Sequence, residues 1–185
     1  MAACRRAIRA CGSSIRGVHR GDAAGASALA DEAGVAVAEA QAALLPFPAL
    51  AAAGPLHDAE KEYAEARLTA ALVSGASLPT PADLGVRSGA WLNGLCEAAS
   101  ELRRYLLDRL RAGEMAEADR LLAVMSDVYD LLVSIDYPDA VTGGLRRATD
   151  ALRAVLERTR GDLTTTVLQT RLQAAIETRL PAAPE

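Results

Sequence analysis

Aromatic residues are scarce, at 3% of 185 residues: one Trp, one Phe and four Tyr. Large β-sheet cores lean on aromatic and β-branched side chains, so a sheet protein fits this composition poorly. Lysine is rarer still, with Lys61 alone among 20 basic residues. Cysteine occurs three times, as Cys4, Cys11 and Cys96, with no Cys-x-x-Cys spacing, which argues against a disulfide framework and a thiolate zinc site. The two histidines, His19 and His57, lie outside any Glu-x-x-His arrangement, so a ferritin-like di-iron bundle is not indicated. No glycine-rich loop follows a strand pattern, which removes nucleotide hydrolases of the P-loop kind. No apolar run approaches the ~20 residues that span a bilayer, and no uninterrupted apolar signal segment stands near the N-terminus. These absences point to a cytoplasmic protein.

Alanine is abundant, with 41 residues, and arginine supplies 19 of the basic ones. A balance of 51% hydrophobic and 24% charged residues is globular, and the length suits one domain over residues 1–185. Ala, Leu, Arg and Glu are strong helix formers, so the expected fold class is all-α. A net charge of -4 excludes a uniformly basic nucleic-acid coat, but the charge is polarised. Arg5, Arg6, Arg9, Arg16 and Arg20 precede the first acid, whereas Asp58, Glu60, Glu62 and Glu65 crowd around Lys61.

Apolar spacing divides the chain into helices. Ile8, Cys11, Ile15 and Val18 form one stripe up to Gly21, and Asp22 is placed to cap an Ala-rich helix that runs to Leu45. A further helix is expected from Pro55 or Leu56 to Gly75, with a loop at Pro79-Thr80-Pro81. Leu92, Leu95, Ala99, Leu102 and Leu106 stripe a helix from Trp91 to Arg111, and Leu121, Met125, Val128 and Leu132 stripe the next. Pro138 suits the first turn of a last long helix, which Gly161-Asp162 is expected to reset into a shorter terminal one. Six or seven helices with short connections make an antiparallel α-α bundle.

Two acidic pairs have helical spacing: Glu62 with Glu65, and Glu97 with Glu101. Four convergent carboxylates would form a hard-oxygen site favouring Mg²⁺ or Mn²⁺, able to orient a phosphodiester and activate water. Solvated helix charge explains the same spacing. Glu97 and Glu101 border an apolar stripe, where an acid needs a partner: a metal, Arg103 or Arg104. Arg16, His19 and Arg20 can contact phosphates or simply complement a helix C-terminus. Arg146 and Arg147, within a second basic group, have the same two readings. Tyr63, Tyr129 and Tyr137 offer faces for stacking on bases or for packing.

Several segments together resemble the translin family: SIRGVHRGD (14–22), EKEYAEA (60–66), LPTPADLGV (78–86), WLNGLCEAASELRR (91–104), VYDLLVSIDYPDAVTGGLRRATD (128–150) and ERTRGDLT (157–164). The resemblance, strongest toward archaeal-type members, implies a seven-helix subunit; family members have a longer first helix, and the departure here is read as a shortened one. It implies assembly into a hollow homo-oligomer, often an octamer, that binds single-stranded RNA or DNA. Subunits resembling translin-associated factor X cleave RNA with Mg²⁺ held by interior acids. The matching positions are Glu62, Glu65, Glu97 and Glu101, and Glu97 stands where catalytic members carry Asp. The implied activity is an endoribonuclease, with a noncatalytic nucleic-acid-binding oligomer as the alternative.

Overall fold

Helix starts and stops follow local chemistry along the chain. The computed structural model describes residues 1–52 and 54–179, and all regular structure among them is helical. In chain order the helices are α1 (Ala2–His19), α2 (Ala23–Leu44), α3 (Pro48–Ala51), α4 (Pro55–Ser74), α5 (Pro81–Leu84), α6 (Ser88–Arg111), α7 (Met115–Val133), α8 (Asp139–Thr142) and α9 (Leu145–Arg179). The Asp22 side chain accepts from Gly25 N–H at 2.9 Å and caps α2, satisfying a donor that the first turn leaves free. Proline opens α3, α4 and α5, where its missing N–H costs no helical bond.

Small side chains determine how the first layer packs. Ala3, Ala7 and Ala10 of α1 are buried, as are Ala26, Ala30, Ala33, Ala36 and Ala40 of α2. These helices pack on each other, and α1 also packs on α4. Their approach is so close that a Cβ at Gly17 would stand 3.0 Å from Ala26 Cβ, and Ser14 Oγ donates to the Ala26 carbonyl at 2.7 Å. The second layer uses larger residues. Leu95, Leu102 and Leu106 of α6 meet Leu121, Met125 and Leu132 of α7 and Leu152 of α9 in one core, all with essentially no exposure. Helix α6 is central, packing on α4, α7 and α9. No helix among the described residues is long and apolar enough to cross a membrane.

The last third of the chain differs from expectation. Pro138 caps the four-residue α8, and the long helix starts only at Leu145, after Gly143-Gly144. Asn93 Nδ2 donates to the Thr142 carbonyl at 2.7 Å and holds α8 on α6, so the chain turns there first. Gly161-Asp162 does not reset the helix, because α9 runs unbroken through Arg179. A mid-helix Gly costs about 1 kcal/mol. Neighbouring contacts offset that cost: Thr159 and Leu163 are buried on either side, and Asp162 accepts from Arg103 Nη2 at 2.8 Å. The expected end before Pro181 adjoins residues outside those described.

Candidate functional site

The site is built where α4 and α6 touch through backbone. Gly94 makes this possible, since a Cβ there would lie 2.8 Å from the Lys61 carbonyl, 2.8 Å from Ala64 Cβ and 3.0 Å from Glu65 N. One turn after Gly94 comes Glu97, on the same face of α6. On α4, helical periodicity puts Lys61, Glu62 and Glu65 on the face toward it. Carboxylate oxygens of Glu62, Glu65 and Glu97 thereby lie within 4.8 Å of one another. Glu60 points elsewhere. It is 1% exposed and receives hydrogen bonds from Arg87 Nε at 2.6 Å and Gln41 Nε2 at 2.8 Å, which tie this stretch of α4 to α2 and to the start of α6.

Electrostatics follow from this crowding. Burial, the charges of Glu62 and Glu97, a hydrogen bond with Glu97 and the charge of Glu101 push Glu65 up to about 9. Glu65 is therefore a neutral acid near pH 7, donating its proton toward Glu97. Glu62 is raised too, first by burial and then by Glu97 and Asp58, against the lowering effect of Lys61. Lys61 Nζ lies 2.7 Å from Glu97 Oε1 and 3.5 Å from Glu62 Oε1. Burial disfavours its charge, but the hydrogen bond to Glu97 and the charges of Glu97, Glu62 and Glu65 outweigh this and hold Lys61 above its ordinary value.

Glu101 has a different partner. His19 Nε2 stands 2.8 Å from Glu101 Oε2, and since an ionised carboxylate only accepts, that nitrogen carries the proton. The hydrogen bond from His19, then the charges of His19 and Arg104, hold Glu101 below the usual range against the opposing effect of burial. Three of the four expected carboxylates thus converge, and the fourth is tied to α1. His19, read from sequence as a phosphate contact beside Arg16 and Arg20, instead has a side chain only 3% exposed. A buried imidazole needs a polar partner, and Glu101 supplies it. Arg16, Arg20, Arg146 and Arg147 are exposed.

The two arginines expected as partners of Glu97 and Glu101 divide. Arg103 binds Asp162 and Thr159, while Arg104 sits by Glu101 at the edge of a depression of about 490 Å³ that Arg103 and Arg111 also line. Tyr63 is 8% exposed, with its hydroxyl accepting from Arg67 Nε at 3.3 Å, so packing is its role. Burial, with nearby Glu62 and Glu65 in the case of Cys11, pushes the thiols of Cys11 and Cys96 up to about 12. Neither is a thiolate nucleophile at neutral pH.

Sequence reasoning missed Lys61 as a member of the cluster and His19 as the partner of Glu101. The only signal for the first was the single lysine lying next to Glu62.

Linkage assigns a sign to the pH dependence of stability. Glu65 is raised in the folded state from 4.5 to about 9, so between those values the unfolded chain ionises it and the folded chain does not. Its contribution to stability falls as pH rises through that window. Metal-free Glu65→Gln is expected to gain stability over the wild type by a margin growing between pH 5 and 8. The gain is up to about 1.4 kcal/mol per pH unit, read by urea unfolding. A margin independent of pH contradicts this assignment.

No family model matches the chain. The solved structure of AfC3PO bound to duplex RNA superposes with a TM-score of 0.82 and 30% identity, covering 90% of this chain and 86% of that one. The chain belongs to the translin family. A second AfC3PO structure gives the same TM-score and identity, covering 90% of this chain and 87% of that one. Apo-NeC3PO, at 20% identity and a TM-score of 0.80 over 89% of this chain and 86% of that one, shares the fold. An uncharacterised protein of Methanocaldococcus jannaschii is 30% identical over 121 residues. That match takes in 65% of this translin-family chain, which spans about half (54%) of that relative's length.

Proposed function

We propose that this translin-family chain binds RNA and cleaves it as a divalent-metal-dependent endoribonuclease, acting on single-stranded or short structured RNA. The observation that carries the reading is the convergence of Glu62, Glu65 and Glu97 within 4.8 Å. These donors are all carboxylate oxygens, and two helices hold them in place, so they fit Mg²⁺ or Mn²⁺ rather than a soft metal. A divalent ion bound there supplies Lewis acidity toward a phosphodiester oxygen and acidifies water. Glu62, Glu65 and Glu97 hold the ion, and Glu65 must give up its proton to do so. Glu101 stands one turn beyond Glu97, oriented by His19. The exposed guanidinium groups of Arg16, Arg20, Arg146 and Arg147 engage the phosphate backbone and make binding salt-dependent. The RNA-bound form of AfC3PO supports the choice of RNA as ligand.

The test is labelled RNA, single-stranded and duplex, incubated with the purified protein in Mg²⁺ or in EDTA, with single-stranded DNA as a parallel arm. Product in Mg²⁺ alone, lost when Glu62, Glu65 and Glu97 are replaced together by Gln, supports the nuclease reading and excludes a contaminant. Binding without metal-dependent product supports the second reading, a noncatalytic RNA-binding oligomer. One observation favours that reading: Lys61 pairs with Glu97 at 2.7 Å, so the chain itself supplies a counter-charge to the cluster.

A homo-oligomer, and an octamer in the implied assembly, is the quaternary form we propose. Helix α9 buries no residue after Leu163, yet Leu168, Leu172 and Ile176 repeat every fourth position at 59%, 62% and 47% exposure. Such a stripe suits packing against a second copy. Leu168→Glu combined with Leu172→Glu is expected to convert the assembly to smaller species by light scattering with helical content unchanged. An undiminished mass rules this stripe out as the contact.

A further inference from the structure

Lysine occurs once in this chain against 19 arginines, and the fold places it inside the carboxylate cluster. Among the described residues, every other ion pair uses an arginine or, at Glu101, His19. The difference is chemical. A guanidinium grips carboxylate oxygens through a planar fork, whereas an ammonium is a compact point charge on a flexible stem that can swing away without leaving its helix. Lys61 spans both sides of the cluster, touching Glu97 of α6 at 2.7 Å and Glu62 of α4 at 3.5 Å, with its side chain 20% exposed. It therefore has both an ion pair to break and an open side toward which to move.

We propose that Lys61 is the resident counter-ion of the cluster, held by Glu97 and Glu62 in the metal-free protein and displaced when a divalent cation enters. This rests on the metal-holding reading given above. The tether gives the ammonium a high effective concentration at the carboxylates. A monovalent ion from solution offers no more charge than the lysine it would replace. A divalent ion offers twice the charge and gathers three carboxylates, so Lys61 sets a threshold that Mg²⁺ or Mn²⁺ passes and Na⁺ or K⁺ does not. The same contact keeps α4 and α6 from being driven apart by like charges while no metal is bound.

The experiment is a calorimetric Mn²⁺ titration of wild type, Lys61→Met and Lys61→Arg at one pH. Lys61→Met is expected to bind Mn²⁺ at least about tenfold more tightly than wild type, and Lys61→Arg no more tightly than wild type. Equal or weaker binding by Lys61→Met overturns the proposal. No Mn²⁺ uptake by wild type or Lys61→Met overturns both the proposal and the metal reading beneath it, whereas equal uptake by the two leaves the metal reading standing.

Because Lys61→Met leaves acids uncompensated and is at risk of not folding, a second measurement uses unaltered protein. Reductive methylation followed by peptide mapping compares the Lys61 amine with the protein's N-terminal α-amine as internal reference. Saturating Mn²⁺ is expected to speed Lys61 modification several-fold relative to that reference. An unchanged or slower rate shows that the ammonium stays in place and overturns the displacement.

Discussion

Replacing Glu65 with Gln is expected to abolish Mg²⁺-dependent RNA cleavage, by at least about 100-fold, while RNA binding in EDTA stays within about twofold of wild type. Gln keeps the shape and hydrogen-bonding reach of a neutral carboxylic acid, the form in which Glu65 rests without metal. The variant therefore folds, and by the pH argument it is more stable than wild type near neutrality. What it cannot do is lose a proton and become an anionic ligand among Glu62 and Glu97. The arginines proposed to hold RNA are elsewhere on the surface and keep their charge. Cleavage at wild-type rate by Glu65→Gln rejects the three-carboxylate site, and loss of RNA binding together with cleavage assigns Glu65 a structural role instead. Lowering the pH is expected to imitate the variant: Mn²⁺ affinity of wild type weakens by up to about tenfold per pH unit from 8 to 6, because the proton on Glu65 competes with the ion.

Gly94→Ala is the second change with a large expected effect. The added methyl would stand 2.8 Å from both the Lys61 carbonyl and Ala64 Cβ, and 3.0 Å from Glu65 N. Two of those three neighbours are backbone atoms of α4, which cannot rotate aside as a side chain would. The helices must separate, at a cost of roughly 2–3 kcal/mol and roughly 5–10 °C in Tm. Separation also draws Glu62 and Glu65 away from Glu97, so Mn²⁺ affinity falls in the fraction that remains folded. Gly161→Ala is the control. Gly161 lies in α9 with nothing within 4 Å of an added Cβ, and the same substitution there is expected to be neutral or stabilising by up to about 1 kcal/mol. Equal thermal shifts for the two variants would refute close approach at Gly94 as the cause.

Much of the fold was legible because its signals are local. Asp22 before an Ala-rich run, Pro55 at a helix start, Gly75 at a helix end and the leucine stripes of α6 and α7 each act within a turn or two of the chain. The short helices α3, α5 and α8 were not legible. Four residues carry no periodicity: the stretch around Pro81 in α5 read as loop, and Pro138, which precedes α8, read as the first turn of a long helix. The continuity of α9 across Gly161 was missed for a related reason: the glycine penalty is visible in sequence, but the pairing of Asp162 with Arg103 on α6, 59 positions away, is not.

The site divides along the same line. Sequence alone determined that Glu62 with Glu65, and Glu97 with Glu101, share helix faces, since a period of 3.6 residues requires it. It also determined that Glu97 and Glu101 border an apolar stripe where a bare charge would be costly. Only the tertiary structure decided which carboxylates meet. The approach of α4 to α6 depends on the missing side chain of Gly94, and a Coulombic or hydrogen-bonded partner is chosen by distances of a few ångströms that no spacing along one helix specifies. That choice brought Glu97 to Glu62 and Glu65, turned His19 from the solvent to Glu101, and set the chain's one lysine among the acids.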